Sequence, residues 1–136
     1  MSTPLAQAFY QRAISSTGAG TLYALTSGRI YLDSAPADAA LPLATITASS
    51  TASDRFMSGN ERHTLRLTLT VYADRSSAST VVTPINAART LLNASIVSVT
   101  GYDRATIICK ERGVAEFTID GWSIADEYDV SGFATS

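Results

Sequence analysis

The sequence of 136 residues holds one histidine, His63, and one cysteine, Cys109, the side chains best suited to acid–base or nucleophilic work near neutral pH. A nucleophile and its base must come within hydrogen-bond reach and be oriented by a third group. His63 stands beside Arg62 at the entrance to a strand-like run, with no acid or cysteine at such a spacing, and reads as an exposed or interface residue. Cys109 lies in ATIICKE, in phase with Ala105 and Ile107, which assigns it to the core as a small hydrophobe. These two ligands cannot make a zinc site on their own, and a lone cysteine forms no intramolecular disulfide. The acids Asp126, Glu127 and Asp129 lack the Asp/Asn ladder, glycine and terminal glutamate of a calcium-binding hand. Gly18-Ala19-Gly20 has neither the preceding strand nor the following lysine of a phosphate loop, so nucleotide binding is not expected. The residue types predict no enzyme, no cofactor and no metal.

Composition points toward contact with other proteins. Net charge is −2 and the sequence pI about 5.2, without a lysine or arginine cluster, which leaves no electrostatic footprint for gripping DNA. Charged residues make up 16% of the chain, against about 25% in an average soluble domain. Seventeen serines and seventeen threonines fill the gap, and such a surface costs less to desolvate than one of lysine and glutamate. This favours an oligomer. The start, MSTPLAQAFYQR, lacks the basic flank and apolar run of a secretion signal, and no segment approaches the roughly 18 apolar residues of a membrane span. Assembly in the cytoplasm, without a membrane, is the expectation.

The elements that must position these residues follow from periodicity. Thr3 can cap a helix that Pro4 opens, with Leu5, Phe9 and Ala13 on one face and an end near residue 15. A helical turn at 22–25, a short strand at 29–32 and a second strand at 43–48 come next, the two strands separated by a loop holding Pro36. Residues 49–61 have no period and read as a long mobile hairpin loop. HTLRLTLTVYAD, 63–74, is the clearest strand: Leu65, Leu67, Leu69 and Val71 point one way, Arg66, Thr68, Thr70 and Tyr72 the other. Val81, Ile85, Ala88 and Leu92 share a helical face, and Pro84 requires that helix to kink or to begin at Thr83. Strands at 95–100, 105–112 and 116–126 complete the chain, with turns at 101–103 and Gly113, and the end from about residue 130 is expected to be flexible. The order predicts one α+β domain: an antiparallel sheet with helices on one face and a long hairpin loop.

In their order and spacing, Gly28-Arg29-Ile30-Tyr31, Pro36, Leu41-Pro42-Leu43, the polar loop, the 63–74 strand and a helix ending in Leu91-Leu92 resemble the tail-completion and tail-terminator proteins of long-tailed bacteriophages. The resemblance runs from about residue 5 to residue 130, and departs from the family pattern at Pro84 and at Gly121-Trp122. It implies a virion protein forming a ring, usually a hexamer, on the last ring of the tail tube. Such a ring stops tube polymerisation and offers a joint to the head connector; a sibling connector or neck protein is the alternative, and a small ligand-binding module or enzyme the more distant one. Its partners would be further copies of itself, the tail tube protein and the connector protein, with DNA passing through the lumen without specific binding.

Within that frame Asp54, Arg55, Glu61 and Arg62 bracket Phe56 and Met57, apolar anchors in a polar rim, and mark a partner contact or an ordinary loop tip. Thr68 and Thr70 would meet a neighbouring subunit. Phe133 is assigned to an interface, and Trp122 to the core in preference to a subunit contact. Asp126, Glu127 and Asp129 would either line the lumen and repel DNA or form a solvated end.

Overall fold

The computed structural model describes residues 4–55, 61–99 and 101–134. The chain runs α1 (Pro4–Ala13), α2 (Leu22–Leu25), β1 (Ile30–Leu32), β2 (Leu43–Arg55), β3 (Glu61–Ala73), α3 (Ser79–Leu92), β4 (Ser95–Val97), β5 (Tyr102–Glu111), β6 (Glu116–Thr118) and β7 (Gly121–Ala134). The strands form one sheet in the order β1-β2-β3-β7-β5-β4, with β6 added to β7. Every pairing is antiparallel except β1 with β2, so the sheet is mixed. Such an arrangement of sheet and helices is the α+β class expected from the element order.

β3 is the axis of the domain. Its alternation buries Leu65, Leu67, Leu69, Val71 and Ala73, which pair across β7 with Val130, Tyr128, Asp126, Ile124 and Trp122. α1 lays Leu5, Ala6, Phe9 and Ala13 on this face, and α3 adds Val81, Ile85, Ala88 and Leu92. Phe9 packs obliquely on Tyr128 with ring centroids 5.2 Å apart. Each large apolar side chain removed from water here contributes about 1.5–3 kcal/mol, which drives the helices onto this one face.

Several boundaries differ from those expected. β2 continues through the polar stretch to Arg55, matched against β3 as far as Arg55 opposite Glu61. A bulge between Ala48 and Ser50 breaks the alternation, and β1 covers only Ala44, Thr45 and Ile46, leaving Ser49, Ser50 and Thr51 exposed on a sheet edge. Polar residues suit that position, so hydrophobic period could not reveal the strand. α3 begins at Ser79, five residues before Pro84, and Pro84 is buried within it. The ring removes the bond that position 84 would give to the Thr80 carbonyl, a loss the surrounding packing offsets. The single strand expected at 116–126 is two, turning at Ile119-Asp120, because Gly121 takes a φ of 131°. A Cβ there would come within 2.2 Å of the Ala73 carbonyl oxygen. The ladder then runs to Ala134, so residues 130–134 belong to the sheet. Among the described residues no helix is long and apolar enough to cross a membrane.

Candidate assembly surface

The helices cover one face of the sheet and leave the other open. On the open face lie Thr45 and Thr47 of β2, Thr64, Arg66, Thr68 and Thr70 of β3, Thr106 and Ile108 of β5, and Glu127, Asp129, Ser131 and Phe133 of β7. Ile108 is 41% exposed and Phe133 38%. The charges at its centre are paired. Arg66 donates from Nε and Nη2 to the two carboxylate oxygens of Asp129 at 2.8 and 3.1 Å, and its Nη1 stands 4.0 Å from Glu127. That hydrogen bond raises the Arg66 pKa above its ordinary value. Thr64 and Ser131 hydroxyls meet at 3.0 Å. A face of hydroxyls and mutually satisfied ions can be covered by another protein without stranding a charge.

The acids at 126–129 divide between the two faces, as alternation in a strand requires. Glu127 and Asp129 are on the open face. Asp126 faces the helices, is 0% exposed, and accepts from Arg89 Nε at 2.6 Å, Arg89 Nη2 at 2.8 Å and the Gly113 N–H at 2.8 Å. The expectation that Asp126 lines a lumen or a solvated end is therefore corrected: a carboxylate locked to a guanidinium from α3 inside the domain presents no charge to DNA. Gly113 is required by the same contact, since a Cβ on it would lie 1.9 Å from the Ala125 oxygen.

His63 is half-buried on the helix-side face, beyond the end of the core. Its Nδ1 meets the Tyr102 hydroxyl at 2.8 Å and its Nε2 meets Glu61 Oε1 at 2.7 Å. β3 and β5 are not neighbours; β7 lies between them, and the residue opposite His63 is Gly132, whose missing side chain leaves room for the two rings to meet edge-on. The tie to Tyr102, 39 residues away, left no signal in the sequence, but Glu61, only two residues before His63 on the same strand, corrects the expectation that no acid stands within its reach. Beyond it, the β2–β3 ladder ends at Asp54 opposite Arg62 and Arg55 opposite Glu61. Phe56 and Met57 lie outside the described residues.

At the other end of the same ladder is a cleft of about 570 Å³. Leu43, Thr45 and Tyr72 of the ladder line it together with Leu41, the Asp33 loop, Asp120 and Trp122. Trp122 packs against the core and against Phe117, ring centroids 5.0 Å apart, so the core assignment holds for part of its surface while the rest faces the cleft. Among the described residues no three of His, Cys, Asp or Glu gather to hold a metal ion.

Cys109 packs at the margin of the core, its N–H bound to Asn93 Oδ1 at 2.9 Å. Burial, with the nearby Asp126 carboxylate, raises its thiol pKa above the ordinary value. A raised pKa means less thiolate at any given pH, and thiolate is the reactive form. Native protein at pH 8 should therefore be alkylated by iodoacetamide more slowly than the urea-unfolded chain, and equal rates would place the thiol in solvent.

The domain thus has one helix-packed face, one open face whose central charges are paired, and a strand pair running from a cleft to a far end. Over residues 12–114 the chain matches the family described as Tail completion protein gp17, and it belongs to that family, one of structural phage tail proteins. In fold it is similar to a chain of a solved structure described as "Virion of native gene transfer agent (GTA) particle". The TM-score is 0.75 at 15% sequence identity, covering 96% of this chain and 95% of that chain, a likeness of fold. No curated protein matches its sequence.

Proposed function

We propose that copies of this chain form a ring, a hexamer by the resemblance, that caps the phage tail tube, ends its polymerisation and provides the joint to the head connector, without catalysing a reaction. The observation that carries the reading is the open sheet face, with Thr68 and Thr70 at its centre and Arg66 already neutralised by Asp129 and Glu127. Membership of the tail completion family supports it, as does the fold shared with a chain from a virion particle. A cap must copy the tube's docking surface on one side and fail to copy it on the other, so its contacts are heterologous.

Thr70 is the cleanest probe of the open face because it stands opposite Ala125 and Thr45, whereas Thr68 stands opposite Glu127, where a new acid would add repulsion within the subunit. Thr70→Asp should leave far-ultraviolet circular dichroism and the urea midpoint near those of the wild type while reducing association with tail tubes or with further copies. Loss of the protein altogether should give tails of abnormal length that fail to join heads. Normal-length, head-joined tails in its absence would end the capping reading.

A further inference from the structure

We propose that the cleft beside Tyr72 receives the β2–β3 connection of a second copy of this chain, Arg55-Phe56-Met57 entering between Leu41 and Trp122; this rests on the ring reading above and names how the ring closes. The cleft and the connection sit at opposite ends of one continuous ladder. β2 and β3 are in register from Leu43 opposite Tyr72, at the cleft, to Arg55 opposite Glu61, where residues 56–60 join the strands. Twelve residue steps at about 3.3 Å separate the two ends by roughly 40 Å. A contact between them cannot form within one copy. Between copies it is head-to-tail, the kind of contact that generates a ring when its repeated rotation closes.

The chemistry of the two ends is complementary. The charged side chains lining the cleft are Asp33 and Asp120, and its larger apolar surfaces are Leu41, Leu43, Tyr72 and Trp122. Leu41 is 42% exposed and Tyr72 41%, an apolar opening that no other part of the described chain covers. The connection offers an aromatic and a thioether side chain directly after an arginine. Methionine sulfur and a guanidinium both favour the rings of Trp122 and Tyr72, and Arg55 would face two carboxylates. Two acids flank the connection: Glu61 already accepts its contact from His63, and Asp54 stands opposite Arg62 in the ladder.

Two variants of the full-length protein test this by mass measurement in solution, with and without isolated tail tubes. The connection variant is Phe56→Ser with Met57→Ser, and the cleft variant is Leu41→Asp, placed at an exposed residue so that folding persists. Each should associate with itself at least roughly tenfold more weakly than the wild type, as loss of a central apolar anchor does. Their equimolar mixture retains one intact cleft and one intact connection, and should give a one-to-one dimer that grows no further. Arg55→Asp should weaken assembly and Asp120→Arg in the same chain should restore it. Rings from both variants that match the wild type would overturn the docking and leave the ring to close elsewhere. A mixture of folded variants that stays monomeric would overturn it too. A wild-type chain that stays monomeric both free and on tail tubes would overturn docking and ring together.

Discussion

Asp126→Ala is expected to lower stability by about 3–5 kcal/mol, because it leaves the Arg89 guanidinium in a largely buried site without its counter-ion. Asp126 is wholly buried, and Arg89 reaches it with two hydrogen bonds of 2.6 and 2.8 Å. The Gly113 N–H, which donates to the same carboxylate at 2.8 Å, is orphaned in the same step. Domains of this kind carry only about 5–15 kcal/mol in total, so the variant should unfold at a urea concentration about 2 M below the wild type. Asp126→Asn keeps an acceptor for Gly113 and should fall between the two. Removing both ions, as Asp126→Leu with Arg89→Met, should cost less than Asp126→Ala, since no unpaired charge remains. If the double variant is less stable than Asp126→Ala, the pair is not acting through charge compensation.

The second large effect is at Leu67, the midpoint of the apolar stripe of β3, fully buried opposite Tyr128 on β7. Leu67→Asp forfeits the burial of a leucine and places a carboxylate where the neighbours are Leu65, Leu69 and the helices. Together these exceed what a marginally stable domain can absorb, and no cooperative unfolding transition should be detectable by near-ultraviolet circular dichroism. Thr70→Asp, three residues on and facing the open side, is the control that should fold. A Leu67→Asp protein with a transition within about 1 kcal/mol of the wild type would mean the two faces of β3 are reversed.

Both predictions show how unevenly the sequence exposes the fold. Leu65, Leu67, Leu69 and Val71 announce their strand and its buried face without help, and Leu5, Phe9, Val81, Ile85 and Leu92 do the same for the helices that cover it. Periodic burial leaves a periodic trace, and that alone is enough to set the α+β class and the direction of each element. Pro84 leaves two choices open in the sequence, a kink or a start at Thr83, and the start at Ser79 removes the second, because α3 is held by its packing against β3 and β7. The strand beyond residue 48 is illegible for the opposite reason: Ser49, Ser50 and Thr51 follow a bulge and are exposed, so the backbone pairing with β3, as far as Arg55, is what defines it.

What the sequence determined by itself was the local pattern: which runs alternate, which faces are apolar, and a composition suited to protein contact. The long-range partnerships were decided only by the tertiary structure. Asp126 reads as one acid of three until α3 brings Arg89 to it across 37 residues of chain, and His63 reads as an exposed or interface residue until the fold sets it against Tyr102 across Gly132. The cleft likewise gathers Asp33 and Leu41, Tyr72, and Asp120 from three separate parts of the sequence. The physical reason is common to all three. A buried ion or a hydrogen-bonded ring is stable only with a specific partner at a specific distance, and a chain's alternation of apolar and polar residues records burial but not the identity of that partner.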